Sequence, residues 1–377
     1  MENFIVSARK YRPSTFESVL GQEHITTTLK NAIRQGQLAQ AFLFCGPRGV
    51  GKTTCARILA KTINCQNLSS DIEPCNECDS CRSFNESASM NIFELDAASN
   101  NSVEDIRNLI EQVSFPPQTG KYKVYIIDEV HMLSPSAFNA FLKILEEPPA
   151  YAKFILATTE KHKIIPTILS RCQVFDFKRI NSDVIAKHLQ SVADKEGVAY
   201  EPDALRIIAQ KSEGGLRDAL SIFDQMVNFT GKNITVASCI ENLNMLDSDC
   251  YFRFVDMFRS GDISGVLLLY QDIVDKGFDG QNFVTGLSEH IRNLMVSIDS
   301  ATQKLLDCSD ATRQRFVQQA AVCGLPLIMK YLEIASEYEY RFRDANNKRL
   351  FVEVCLMKLA ALVKNLQMQP QTASSAG

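Results

Sequence analysis

The stretch Gly46-Pro47-Arg48-Gly49-Val50-Gly51-Lys52-Thr53 constrains this chain more than any other, because it spells GxxxxGK[ST] between two elements of different periodicity. Upstream, Ala41-Phe42-Leu43-Phe44-Cys45 is a continuous apolar run of strand length, while downstream Cys55, Ile58, Leu59 and Ile63 recur at helical spacing. The loop must therefore join a buried strand to a helix. Glycines at 46, 49 and 51 let its backbone N–H groups converge on phosphate oxygens, and the helix adds its positive N-terminal end. In such a loop Lys52 reaches the β- and γ-phosphates and the Thr53 hydroxyl ligates Mg²⁺. The substrate class that follows is a nucleoside triphosphate.

A second stretch supplies the carboxylates. Val124-Tyr125-Ile126-Ile127-Asp128-Glu129 is apolar on both faces, as a central parallel strand requires, and such strands present their C-terminal ends to the ligand crevice. Asp128 is expected to hold the Mg²⁺ shell, and Glu129 to orient and polarise the attacking water. Three further runs, Ile92–Asp96, Phe154–Thr159 and Val174–Phe177, read as strands. Between them, Ser102 with Asp105 opens one amphipathic helix and Ser134-Pro135 another. Alternating strands and helices predict an α/β P-loop domain over 1–178, doubly wound on a five-stranded parallel sheet.

From Arg179 onward the strand signals fade. Ser182 is expected to cap one helix, Pro202 to start a second, and Gly214-Gly215 to separate it from a third that begins at Leu216-Arg217-Asp218. Residues 179–242 thus read as a small helical domain. Apolar faces in 251–258, 263–274, 282–297, 325–337 and 348–363 predict an all-α domain over 243–367, with Tyr251, Phe254, Phe258 and Tyr331 as core or subunit contacts. The Gln-, Pro-, Ser- and Ala-rich stretch 368–377, which Gln367 introduces, reads as a disordered linker or a truncated tail.

A net charge of −4 argues against a globally basic nucleic-acid binder but leaves room for local basic patches. No apolar run approaches the ~18 residues of a membrane span, and Met1–Lys10 lacks the apolar core of a signal peptide, so a cytoplasmic location is expected. In that setting the twelve cysteines read as reduced thiols or metal ligands. Cys65, Cys75, Cys78 and Cys81 form C-x9-C-x2-C-x2-C, spacing that brings four thiolates to one tetrahedral Zn²⁺. Four thiolates leave no open position, so the site is structural. The other eight, Cys45, Cys55, Cys172, Cys239, Cys250, Cys308, Cys323 and Cys355, read as small core residues.

Together these motifs resemble the γ/τ family of bacterial DNA polymerase III clamp-loader subunits, within the AAA+ ATPases. The resemblance runs from about residue 8 to 365 and rests on Tyr11-Arg12-Pro13-x-x-Phe16 with Gly21-Gln22, the four-cysteine insertion, Asp128-Glu129-Val130-His131-Met132-Leu133-Ser134 leading to Glu146-Glu147-Pro148-Pro149, and Ser170-Arg171-Cys172. It implies that Ala8, Tyr11, Arg12, Pro13 and Val19 form the adenine pocket, and that Gly46, Pro47, Arg48, Gly49, Val50, Gly51, Lys52, Thr53 and Thr54 hold the phosphates with Leu216 and Arg217. Thr158 or Thr159 matches the sensor of the γ-phosphate and attacking water, with Thr158 the preferred catalytic residue. Arg217 matches a lid cation that reaches the phosphates, and Arg171 the arginine finger offered to a neighbouring subunit.

By the same resemblance the chain is an ATP-hydrolysing motor that opens the sliding clamp and loads it onto primed DNA within the polymerase holoenzyme. Its implied partners are delta, delta-prime and further γ/τ copies in a five-membered ring held by the C-terminal collar, together with the clamp and primer-template DNA met through phosphates. Lys143 is a candidate DNA contact, but an exposed helix lysine is the better reading of it. The additional domains of the long τ form are not represented, so helicase and polymerase binding are not expected of these residues. A non-hydrolysing ring scaffold is the competing reading, and Lys52, Thr53, Asp128, Glu129 and Arg217 speak against it. A branch-migration motor or helicase loader would lack the zinc insertion and collar.

Overall fold

Continuous apolar runs along the strands dictate how the first part of the chain is layered. In the computed structural model, which describes residues 5–117, 120–243, 246–306, 308 and 310–368, the chain separates into two units, Met1–Val236 and Ala237–Gly377. The first begins with helices α1 (Ser7–Lys10) and α2 (Glu23–Arg34), followed by strand β1 (Ala41–Cys45), the glycine loop and α3 (Lys52–Ile63). There follow α4 (Asp79–Asn85), β2 (Ile92–Asp96), α5 (Val103–Val113), β3 (Lys123–Asp128), α6 (Pro135–Glu146), β4 (Ala152–Thr158), α7 (Pro166–Leu169) and β5 (Gln173–Asp176).

The five strands form one parallel sheet in the order β2-β3-β4-β1-β5. Phe42, Phe44, Ile126 and Ile155 turn to one face, where Cys55, Ile58 and Leu59 of α3 cover them. Leu43, Tyr125, Ile127 and Leu156 turn to the other, under Ile106 and Leu109 of α5 and Phe138 and Phe141 of α6. A strand covered on both sides has no polar face, which is why these runs are continuously apolar. The expected caps are present: Ser102 and Asp105 form a reciprocal capping box, and Ser134 accepts from the Ala137 N–H with Pro135 at the first helical position.

The rest of the first unit comprises α8 (Ser182–Glu196), β6 (Ala199–Tyr200), α9 (Pro202–Lys211), α10 (Leu216–Thr230) and β7 (Asn233–Ile234). Asn181, not Ser182, is the N-cap of α8, because its extended backbone lets the side-chain oxygen accept from the Asp183 N–H at 2.7 Å. Strands β6 and β7 pair in parallel over two residues each, too short for any periodicity to reveal.

The second unit takes in α11 (Val236–Asn242) from Ala237 onward, so its start lies upstream of the expected 242/243 boundary. It continues with α12 (Ser248–Ser260), α13 (Ile263–Asp275), α14 (Gly280–Ser297), α15 (Asp310–Cys323), α16 (Leu325–Arg341) and α17 (Lys348–Met368). Phe254, Phe258, Phe283 and Tyr331 are fully buried in one helical core. The last helix includes Gln367 and Met368, which the sequence placed at the start of a linker; 369–377 lie outside the described residues. Of the eight cysteines outside the cluster, Cys45, Cys55, Cys239 and Cys355 are buried, whereas Cys172, Cys250, Cys308 and Cys323 are only half-buried. Among the described residues no helix is long and apolar enough to cross a membrane.

Candidate nucleotide-binding site

The glycine loop occupies the C-terminal end of the sheet because β1 delivers it there, between β4 and β5. Gly46 has φ 146°, and a Cβ there would stand 2.5 Å from the Phe177 carbonyl oxygen, so only glycine lets the loop leave the sheet at this angle. Gly51 is left-handed at φ 103° and starts α3. Lys52 donates to the carbonyl oxygens of Gly46 at 2.8 Å and Pro47 at 2.7 Å. Burial holds its pKa below the usual lysine value, and the nearby Glu129 and Asp128 partly oppose that shift.

Opposite the loop, the end of β3 supplies the carboxylates. Thr53 Oγ1 donates to Asp128 Oδ2 at 2.7 Å. Glu129 has a left-handed backbone, φ 47°, uncommon for a residue with a side chain. Its Oε2 accepts from both the N–H and the hydroxyl of Thr159, at 3.2 and 3.0 Å. Thr158 is fully buried, and its hydroxyl lies 3.1 Å from His131 Nδ1. That ring nitrogen is also 3.4 Å from Glu129 Oε2. The hydroxyl touching Glu129 is thus that of Thr159, while Thr158 reaches it through His131.

Of these groups, Lys52, Thr53, Asp128 and Glu129 border a cleft of about 330 Å³. Of the expected residues, Ala8, Tyr11, Arg12, Pro13 and Val19 line it, as do Arg48, Gly49, Val50, Gly51, Lys52, Thr53 and Thr54. Asp128, Glu129, Leu216 and Arg217 complete the set. Gly46, Pro47, Thr158 and Arg171 are not among the lining residues. Leu20, Asp96, Ile180 and Leu220 line it without having been singled out. Asp96 had a visible signal: it ends β2 as Asp128 ends β3, and the two are in register.

Tertiary contacts bring the distant segments in. Ser7 N–H donates to Asp224 of α10 at 2.7 Å, and Lys10 and Tyr11 both donate to Glu196 of α8. Burial first, and then the Glu196 hydrogen bond, push the Tyr11 hydroxyl up to about 12. The Arg217 N–H donates to the Gly49 carbonyl at 3.3 Å, seating α10 on the loop. Arg12 is depressed from the usual guanidinium value mainly by burial, then by the neighbouring Arg57, with Arg217 and Arg9 contributing. Such a concentration of positive charge suits a polyanionic ligand. Arg171 instead pairs with Glu146 at 2.8 Å and donates to the Thr167 carbonyl at 2.9 Å.

The four expected metal ligands converge. Sγ atoms of Cys65, Cys75, Cys78 and Cys81 all lie within 4.8 Å of one another. A tetrahedral Zn²⁺ with four thiolates sets its sulfurs about 3.8 Å apart, so the cluster fits that ion. Hydrogen bonds from backbone N–H groups, the Cys78 N–H first, bring Cys75 down to about 6, favouring the thiolate a metal needs.

Sheet order, glycine loop and carboxylate pair define a P-loop nucleotide-binding protein of the AAA+ class. Family models match the chain in three consecutive stretches: DNA polymerase III, delta subunit, over residues 21–181; DNA polymerase III clamp loader subunit, ATPase lid domain, over 184–232; and DNA polymerase III subunits gamma and tau domain III over 234–373. DNA polymerase III subunit gamma of Buchnera aphidicola is 35% identical over 359 residues, 95% of this chain and 97% of that protein. DNA polymerase III subunit tau of Bacillus subtilis is 39% identical over 356 residues, 93% of this chain. The chain belongs to the DNA polymerase III gamma/tau family. It spans 62% of the Bacillus protein and 51% of the Mycoplasma genitalium gamma/tau subunit. Among solved structures, the Thermotoga maritima RuvB Holliday junction branch migration motor is 19% identical, with a TM-score of 0.47 over 71% of this chain and 86% of that one.

Proposed function

We propose that the chain is the ATP-hydrolysing motor subunit of a bacterial replicative clamp loader, opening a sliding clamp and loading it onto primed DNA within a DNA polymerase III holoenzyme. The observation that carries this reading is the Thr53–Asp128 hydrogen bond of 2.7 Å, set beside Lys52, Glu129 and Arg217 in one cleft. ATP places its phosphates against the loop, where Lys52 exchanges the Gly46 and Pro47 carbonyls for phosphate oxygens. The Thr53 hydroxyl and Asp128 carboxylate are hard oxygen donors that would hold Mg²⁺, which when bound neutralises phosphate charge. Ala8, Tyr11, Arg12, Pro13 and Val19 enclose the base. Glu129 orients the attacking water once Thr159 yields its hydrogen bonds, and Thr158 with His131 fixes the direction from which Glu129 approaches. Arg217 adds positive charge from α10, so nucleotide state couples to the position of the helical lid.

Arg171 serves the site of a neighbouring copy. Its guanidinium leaves Glu146 to stabilise charge on the transferring phosphoryl group, a contribution of ~10³–10⁵ in rate. The implied partners are delta, delta-prime and further gamma/tau copies in a five-membered ring, the clamp, and primer-template DNA through its phosphates. The functional division is an AAA+ domain over 1–178 with a structural zinc module at 65–81, a lid over 179–242 and an oligomerising collar over 243–367, all in the cytoplasm. The test is ATP turnover of the wild type and Arg171→Ala, each assembled with partner subunits, clamp and primed DNA. Stimulation of the wild type that is lost in Arg171→Ala, with nucleotide binding retained, supports the reading. Turnover indifferent to both clamp and DNA sinks it.

A further inference from the structure

The four-cysteine module grips the segment behind the cleft wall through the side chain of Glu73. Glu73 stands two residues before Cys75, and its side chain is only 12% exposed. Glu73 Oε2 accepts from the Phe16 N–H at 2.7 Å, and Oε1 accepts from the Glu17 N–H at 3.0 Å. The Lys30 ammonium of α2 lies 2.6 Å from Oε1. Two successive backbone N–H groups facing one carboxylate form an anion nest; without that acceptor the part-buried Phe16 N–H loses its partner, while the exposed Glu17 N–H can turn to water. Glu73 is itself fixed in direction: its N–H donates to Ser69 Oγ at 3.0 Å, and the Ser69 N–H donates back to its carbonyl at 3.1 Å.

The segment gripped in this way forms part of the cleft wall. Phe16 is 1% exposed in the sheet's core, and its carbonyl accepts from the Val19 N–H at 3.2 Å. Pro13, Val19 and Leu20 line the cleft, and Val19 Cγ1 sits 3.9 Å from where a Cβ on Gly51 would be. We propose that Glu73 is a positioning residue through which the cysteine module sets the shape of the 13–20 turn, and with it the wall that receives the nucleoside rather than the phosphates. The proposal rests on the cleft being a nucleotide site. A metal held by the four cysteines would fix the loop that carries Glu73, so its influence would extend beyond its own ligands.

The test uses the full chain as wild type, Glu73→Ala and Glu73→Gln. Affinity for a fluorescent ATP analogue, its displacement by inorganic triphosphate, and zinc per chain are measured together. In Glu73→Ala, ATP-analogue affinity falls about tenfold, as expected for losing charge-assisted hydrogen bonds. Triphosphate affinity stays within about twofold and zinc content holds. Glu73→Gln, which keeps a carbonyl acceptor for one N–H, is intermediate. Unchanged analogue affinity in Glu73→Ala overturns the proposal, and so does an equal fall for analogue and triphosphate. If Glu73→Ala sheds its zinc, Glu73→Gln decides by the same comparison. A wild type that binds neither ligand instead overturns the nucleotide-site reading, and this proposal with it.

Discussion

At the scale of single residues, the candidate catalytic group is held in place before any ligand arrives. Glu129 accepts two hydrogen bonds from Thr159, stands beside His131 and adopts a left-handed backbone. Replacing it by the isosteric amide should leave ATP affinity within a few-fold while lowering steady-state hydrolysis by roughly 10²–10⁴-fold, read from equilibrium binding and phosphate release. A second residue prediction concerns Glu196, whose acidity is strengthened by the hydrogen bonds from Lys10 and then Tyr11. Because its folded pKa lies below the unfolded value near ~4.3, its contribution is complete above that pH and fades as the pH falls through the folded value. Thermal melts of the wild type and Glu196→Gln should therefore differ at pH 7 and converge in acid; a constant gap would contradict the assignment. The loop lysine, the hydroxyl beside it and both carboxylates were legible in the sequence because each sits at a fixed offset in a motif. The pairing at the end of β4 was not. Neighbouring threonines there point to different partners, and a strand end displaced by one residue exchanges them.

At the scale of elements, burial on both faces made the strands legible, since β1, β3 and β4 have no polar side to interrupt their apolar runs. Helix α15 escaped notice for the opposite reason. Its inward residues include Gln319, which donates to the Phe252 carbonyl and the Asp256 carboxylate and stands 3.3 Å from His290 Nε2, so part of its buried face is polar. The same core supplies a prediction. The Tyr251 hydroxyl lies over Gly286 of α14, where any Cβ would collide with it. Gly286→Ala should destabilise the protein by about 1–3 kcal/mol through overpacking, despite the better helix propensity of alanine. Denaturant unfolding of the two chains, followed by circular dichroism, checks the sign as well as the size.

At the scale of the whole molecule, each of the two units carries its own apolar core, and the cysteine cluster belongs to the first. The effects of metal removal should therefore stay within the first unit. Cys81→Ser, or treatment with a strong chelator, should abolish zinc binding and open the 65–81 segment to proteolysis, while 237–368 keeps its resistance. Mapping the first cleavage sites by mass spectrometry tests this, and early cuts in the second unit would argue against it. The sheet order carries a consequence of another kind. Strand β1, which bears the glycine loop, pairs only with β4 and β5, so its partners are Phe154 onward and Gln173 onward. During synthesis the ribosome releases one of the most apolar segments of the chain long before anything exists to pair with it. The nucleotide loop is made well before it can be seated, and the nascent chain must keep Ala41–Cys45 from competing partners until β4 and β5 have emerged.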